Sequence, residues 1–158
     1  GANREAECLI DLQVSAHIPE NYISSNAQRL DVYRRIADIR THEDSLDVYD
    51  ELIDRFGETP PGVNALIHVA LLRGEAGRAG ITDISQKQGT LRFTLSDFDM
   101  EKVSALYARE EYKNRLRVEA GSKPCISLKI KNKNRVIDEA RSFAADWAAC
   151  TQSDKQST

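Results

Sequence analysis

The 158-residue chain carries 22 Lys and Arg against 25 Asp and Glu, a net charge of −3, which argues against a uniformly basic nucleic-acid coat. Apolar residues make up 41% of the chain, which is enough for the core of one domain. No apolar run approaches the roughly 20 residues that a transmembrane helix needs, so we expect no membrane partner.

The N-terminal half predicts one strand followed by three helices. Apolar and polar residues alternate from Cys8 to Ile18, the period of a half-buried strand, and residues 1–7 are expected to be a linker or a remnant of expression. Asn26 is a candidate N-cap for a helix that runs to about Arg40. The next two helices are predicted at residues 43–56, between the N-cap Thr41 and Gly57, and from Pro60 to just before Gly80.

The C-terminal half predicts two hairpins, each followed by a helix. Residues 81–85 and 90–95 predict the first hairpin, and residues 116–120 and 126–130 predict the second. The order β-ααα-ββ-α-ββ-α predicts a single compact α+β domain over residues 8–150, with mainly antiparallel strands packed against helices. The last two helices are predicted at residues 97–109, with Met100, Val103, Leu106 and Tyr107 inward, and at residues 134–150, before a polar tail at 151–158.

Sequence motifs for catalysis or metal binding are missing from the chain. It has no Gly-rich phosphate loop, no GxSxG and no HExxH motif. Its three cysteines, Cys8, Cys125 and Cys150, lack CxxC spacing, which indicates neither a disulfide framework nor a zinc site. We therefore expect no catalytic residue, metal or cofactor in this chain, and a reducing, cytoplasmic location.

The second predicted helix has an acidic face beside an apolar one. At about 100° per residue, six carboxylates share one arc, although like charges four residues apart destabilise a helix. The helix dipole favours acids only in the first turn. Two interpretations are open, a solvated helix face or a docking surface for a basic partner. The acids are Glu43, Asp44, Asp47, Asp50, Glu51 and Asp54, and the predicted inward residues are Leu46, Tyr49, Leu52, Ile53 and Phe56.

A basic stretch follows between residues 113 and 135. It holds eight Lys and Arg and one acid, Glu119. The strand period points Arg115, Arg117, Lys129 and Lys131 outward from the predicted second hairpin. Such a surface suits a polyanion, as in a nucleic-acid-binding module. Alternatively, the bases protect a sheet edge from pairing with another chain.

Three segments of the chain are similar to the C-terminal domain of bacterial transcription-repair coupling factors, the Mfd family. They are AHIPENYI at 16–23, RLDVYRRIA at 29–37 and ELIDRFG at 51–57, followed by Pro60. The resemblance is specific over residues 11–84 and rests on element order over residues 86–150. It implies a non-catalytic domain of a large ATP-driven DNA translocase, whose motor motifs are absent from this chain.

The resemblance also implies an autoinhibitory role. In that family the domain docks on an N-terminal UvrB-like module, hides the surface that binds the repair protein UvrA, and restrains the motor until RNA polymerase is engaged. The acids of the ELIDRFG motif, here Glu51 and Asp54, face arginines of that module. Because they lie on the acidic face that helical periodicity identifies, we interpret this face, with Asp47 and Asp50, as a docking surface. The alternative is a nucleic-acid-binding module that uses the basic hairpin at 113–135.

Overall fold

Helices and strands account for most of the chain in the computed structural model, which describes residues 7–119 and 121–156, with side chains up to residue 150. Residues 14–74 form one compact unit, and the described residues up to Gln13 and from Glu75 onward form another. The described elements are β1 (Leu9–Asp11), α1 (Asn26–Ala37), α2 (His42–Phe56), α3 (Pro61–Arg78), β2 (Ile81–Lys87), β3 (Thr90–Leu95), α4 (Met100–Tyr107), a 3₁₀ turn (Glu110–Tyr112), β4 (Leu116–Glu119), β5 (Cys125–Lys129) and α5 (Val136–Gln156).

The unit of residues 14–74 is helical and has its own apolar core. Side chains that recur every three or four residues along the three helices are buried together, as expected for amphipathic helices. The extended segment before α1 adds Ile18 and Ile23 to this core. The core consists of Ile18, Ile23, Val32, Ile36, Ile39, Val48, Leu52, Val63, Ile67, Ala70 and Leu71.

The second unit contains a five-stranded sheet in the order β1-β2-β3-β5-β4. Strand β1 runs parallel to β2, whereas the other three pairs are antiparallel. One sheet face is apolar, and Phe143 of α5 stacks on Phe93 of β3 with ring centroids 4.1 Å apart. Trp147, one helical turn after Phe143, is buried with it, which confirms the α+β class and the packing role of these aromatic residues.

The predicted strand from Cys8 to Ile18 is correct in its alternating burial and wrong in its length. Only Leu9–Asp11 pairs with β2. Beyond it, the backbone N–H groups find separate partners: that of His17 donates to the Gly62 carbonyl over 3.2 Å, and that of Ile18 donates to the Tyr33 hydroxyl over 2.8 Å. Side chains alternate between two sides of any extended backbone, whether or not it pairs with another strand. The segment therefore shows the alternating burial of a strand although its hydrogen bonds go to separate partners.

Helix α1 begins and ends at different residues from those predicted. Its N-cap is Ser25, whose hydroxyl accepts the Gln28 N–H. It ends at Ala37 and not near Arg40, because the Arg40 N–H donates to the carboxylate of Asp44 on the next helix. The backbone there is therefore held by the start of α2.

Helices α4 and α5 also differ from the prediction at their ends. Asp99 caps α4 by accepting the N–H groups of Glu101 and Lys102. Met100 and Tyr107, predicted to face inward, are 57% and 49% exposed, because the short helix buries only the Val103 and Leu106 side. Helix α5 spans Val136–Gln156 and so includes most of the predicted tail.

Candidate docking surface

Helix α2 begins at a capping box that accounts for one of its six acids. The Thr41 hydroxyl accepts the Asp44 N–H over 3.1 Å. The Asp44 carboxylate accepts the N–H groups of Arg40 over 2.9 Å and of Thr41 over 3.0 Å. These bonds favour the ionised form and lower the pKa of Asp44 below its ordinary value. The Asp44 carboxylate is thus engaged in capping the helix, where backbone N–H groups need acceptors outside the helix.

The buried face of α2 agrees in part with the predicted one, because Leu52 is buried and Tyr49 and Phe56 pack against the same core. Ser45, Val48 and Leu52 are buried, and the Ser45 hydroxyl donates to the His42 carbonyl over 2.5 Å. Leu46 and Ile53, which the sequence predicts to be inward, are 49% and 51% exposed. Apolar periodicity overlooks part of the buried side of α2 because one of its buried residues, Ser45, is small and polar.

Opposite the buried face lies the docking face, which we define as Leu46, Asp47, Asp50, Ile53 and Asp54. All five side chains are exposed. Their spacing of three, four, seven and eight residues gathers them on one side of the helix. Within the part of the chain that the structure describes, the three aspartates have no ion pair. The face therefore combines free negative charge with two accessible aliphatic side chains.

Glu51, the first acid of the ELIDRFG segment, lies at the border of the docking face. Its carboxylate is 2.8 Å from the Arg35 guanidinium of α1 and 3.7 Å from that of Arg55. The Glu51 side chain is 32% exposed. Its charge is therefore partly neutralised within the chain, whereas that of Asp54, three residues later, is not.

The predicted polyanion-binding residues separate into two groups. The Arg115 side chain is 14% exposed, and its guanidinium is 2.6 Å from Glu139. It also donates to the carbonyls of Glu111 over 2.7 Å and of Lys129 over 3.0 Å, so its predicted outward orientation is wrong. By contrast, Arg117, Lys129 and Lys131 are exposed.

The described cysteines and the other potential metal ligands do not form a disulfide or a metal site. Cys8, Cys125 and Cys150 are buried and form no disulfide bond with one another. In residues 7–119 and 121–150, no three His, Cys, Asp or Glu side chains are grouped to hold a metal ion. None of the helices described combines the length and apolar character of a membrane span.

The described surface can be compared with known proteins. A family model of the TRCF domain matches residues 12–106. The chain belongs to the TRCF domain family. The match includes all of α2, and thus the docking face and Glu51. Arg117, Lys129 and Lys131 lie outside the match.

Curated relatives and a solved structure agree with this family. The chain is 36% identical over 91 residues to the transcription-repair-coupling factor of Bacillus subtilis (strain 168), a match that covers 58% of this chain and 8% of that protein. It is 35% identical over 116 residues to that of Mycobacterium bovis, covering 71% of this chain and 9% of that protein. A solved C-terminal domain of transcription-repair coupling factor has a TM-score of 0.75, with 19% identity over 94% of this chain and 97% of that one. It establishes the fold beyond residue 106.

Proposed function

We propose that this TRCF domain is a non-catalytic, autoinhibitory protein-interaction domain that docks through α2 on a basic, UvrB-like N-terminal module of its parent protein. The observation that supports this most directly is the docking face. It leaves three aspartates exposed, with no ion pair to any residue that the structure describes, on a helix where like charges are unfavourable. A partner that supplies arginines would relieve this repulsion and form charge-assisted hydrogen bonds.

The two aliphatic residues of the docking face define the partner further. Leu46 and Ile53 are about half exposed and are seven residues apart, so they lie on the same side of α2, two turns apart. Apolar groups at the centre of an interface supply much of its affinity, and surrounding charges supply specificity. The proposed partner surface is therefore a shallow apolar recess bordered by arginines.

Glu51 gives the proposed contact a means of release. Its carboxylate is engaged by Arg35 and Arg55, so an arginine of the partner must compete with these two guanidinium groups. Since all three side chains are partly exposed, the competition is sensitive to salt. Asp54 has no such competitor and carries the larger share of the proposed electrostatic contact.

The docked state would be the inactive one. If docking covers the UvrA-binding surface, engagement of RNA polymerase elsewhere shifts the population to the undocked state. This proposal gives the chain itself no catalytic step and no cofactor. Translocase activity, UvrA, RNA polymerase and a cytoplasmic location belong to the parent protein, of which the chain spans a small part.

The direct test is a double charge reversal in the full-length parent protein. Glu51→Lys with Asp54→Lys should release the docked state and raise the affinity for UvrA by roughly 5- to 150-fold, the range of typical coupling energies. Binding is measured by biolayer interferometry with immobilised UvrA. The matched control is Asp31→Lys with Asp97→Lys, which makes the same change in charge at exposed positions outside α2. If the α2 variant binds UvrA no better than the parent or the control, the docking proposal is wrong.

A charge swap identifies the partner surface. Titration of the isolated N-terminal module with this chain should give binding that Asp54→Arg abolishes. A compensating arginine-to-glutamate change in the module should restore it. Binding that persists in Asp54→Arg would contradict the assignment of the acidic contact.

A further inference from the structure

The second sheet face is polar and open. The register places Ser85, Arg92, Ser127 and Arg117 in one row across four strands. Lys87, Thr90 and Lys129 form the next row. These residues alternate with those that contact Phe143 and the core, so they point away from it. An open groove of about 890 Å³ lies along them.

Three bases on this face are available to a ligand. Lys87, Arg117 and Lys129 are exposed, and none has an ion pair among the described residues. Arg92, between them, is 2.6 Å from Glu119 and is therefore neutralised. Lys87 comes from the first hairpin, outside the basic stretch of residues 113–135, so only the sheet order reveals it as part of this set.

The spacing of the three bases suits a broad polyanion. Lys87, Lys129 and Arg117 lie on β2, β5 and β4, and strands β2 and β4 are three strand spacings apart, about 14 Å. That distance is comparable with the roughly 12 Å width of the major groove of B-DNA, which has a phosphate backbone on each side. A single extended acidic peptide would meet only part of such a set.

The remaining residues of the open face favour contact with a phosphate backbone over stacking on bases. Ser85 and Thr90 carry hydroxyl groups beside the bases, and hydroxyl groups commonly donate to phosphate oxygens. Ser127 is buried, and its hydroxyl donates to Glu119 over 3.2 Å. None of the strand residues on this face is aromatic, whereas surfaces for single strands use aromatic rings to stack bases. Tyr107 lines the groove, but its hydroxyl donates to the Leu116 carbonyl over 2.8 Å.

We propose that the open face of the sheet binds the phosphate backbone of duplex DNA through Lys87, Arg117 and Lys129. On the same face, Asp83 is paired with Thr94 and lies four residues along the strands from Lys87 and Thr90, so its carboxylate repels phosphate and confines the duplex to the basic end. None of the residues of this surface lies on α2, and all belong to the other unit.

Fluorescence anisotropy tests the proposal, with this chain and a labelled 25-bp duplex at 50 to 200 mM salt. The triple variant Lys87→Ala, Arg117→Ala and Lys129→Ala should lower the slope of log K against log salt by about 2 to 3, roughly 0.9 per lost phosphate contact. The control triple is Arg34→Ala, Lys133→Ala and Arg135→Ala. It removes the same charge from other exposed positions and should leave the slope within about 1 of the parent.

Three outcomes would overturn the proposal: no duplex binding at 50 mM salt, equal losses in the two triples, or poly-glutamate that binds as tightly as duplex and with the same sensitivity to the variants. The last would indicate an acidic protein as the ligand. The Glu51→Lys and Asp54→Lys variant should retain duplex binding, so failure here is distinguishable from failure of the docking proposal.

Discussion

Helix α2 and the basic stretch at residues 113–135 each concentrate charge of one sign, but the structure uses those charges differently. On α2, Asp47, Asp50 and Asp54 are exposed and have no internal ion pair in the described structure. Beside β4 and β5, Arg115 is folded into an ion pair with Glu139 that is 14% and 15% exposed. A run of charge therefore marks a surface, and the partners of each side chain decide which charges are available to a ligand.

The physical reason lies in side-chain reach and backbone geometry. Aspartates in the middle of a helix have short side chains and lie on the side away from the core, where no base of the same helix is in reach. Arg115 has a long side chain at the start of a strand, from which it reaches the carbonyl groups of Glu111 and Lys129. Stability should therefore depend on the buried side of α2 and on Arg115, and much less on the docking face.

The largest expected effect separates the two sides of α2. Leu52→Ala should lower the free energy of unfolding by about 2–5 kcal/mol, because Leu52 is 1% exposed and its truncation leaves a cavity. Ile53→Ala, the adjacent and half-exposed position, should change it by less than about 0.5 kcal/mol. Urea denaturation followed by circular dichroism measures both. Equal losses would mean that the docking face is part of the core.

The second effect separates Arg115 from Arg117. Arg115→Ala removes hydrogen bonds from a largely buried guanidinium and leaves Glu139 without its cation, so we expect a loss of about 1.5–3 kcal/mol. Arg117→Ala, on an exposed side chain two residues later, should stay within about 0.5 kcal/mol. Thermal denaturation of the two variants at the same pH checks this. If Arg117→Ala is the more destabilising, the division of the basic residues is wrong.

A third, smaller effect concerns the capping box and depends on pH. Thr41→Ala should lower the free energy of unfolding by about 1 kcal/mol. The Asp44 pKa is lowered in the folded state, so the stabilisation by its carboxylate is present above pH ~4 and is lost as pH falls through the folded-state pKa. In urea titrations at pH 6 and pH 3, Asp44→Asn should be less stable than the parent at pH 6, and this difference should shrink at pH 3.

The control for this prediction is Thr41→Ser, which keeps the hydroxyl and the Asp44 carboxylate. Its stability should fall between pH 6 and pH 3 as that of the parent does. A pH dependence that is unchanged in Asp44→Asn would show that other carboxylates account for the loss.

The smallest effect compares the two ends of α2. Asp54→Lys removes like-charge repulsion from Asp50 and places a cation near the helix C-terminus, so it should stabilise the domain by about 0.3–1 kcal/mol. Glu43→Lys makes the same charge change in the first turn and should destabilise it by a similar amount. Chemical denaturation at low salt distinguishes the signs. If Asp54→Lys is destabilising, the Asp54 carboxylate has a structural role within the chain.

Much of the fold could be predicted because local signals agree with the final structure. Thr41 and Asp44 form the predicted cap of α2, and Gly57 after its end has a φ of 87°, which glycine adopts at low cost. The turn at Gln88 and Gly89 has positive φ at both residues, as a two-residue hairpin requires. Each of these features depends on neighbours in sequence.

Apolar periodicity predicts only part of the side of α2 that faces the core. It includes Leu52 correctly, but it also includes the exposed Leu46 and Ile53 and misses Val48. The choice between them depends on α1 and α3, whose side chains surround Val48 and Leu52 in one core. Packing across sequence-distant elements therefore exposed two aliphatic residues beside the acids and completed the docking face.

Local patterns along the chain are enough to specify the α+β class, most of the element order and the contrast between an N-terminal half with eight Lys and Arg against fourteen Asp and Glu and a more basic C-terminal half. Periodicity, caps and charge are local properties, so they can be read from the sequence. The internal position of Arg115 and the grouping of Lys87 with Arg117 and Lys129 are apparent only from the folded chain. Those assignments depend on strand order and side-chain partners, which bring together residues far apart in sequence.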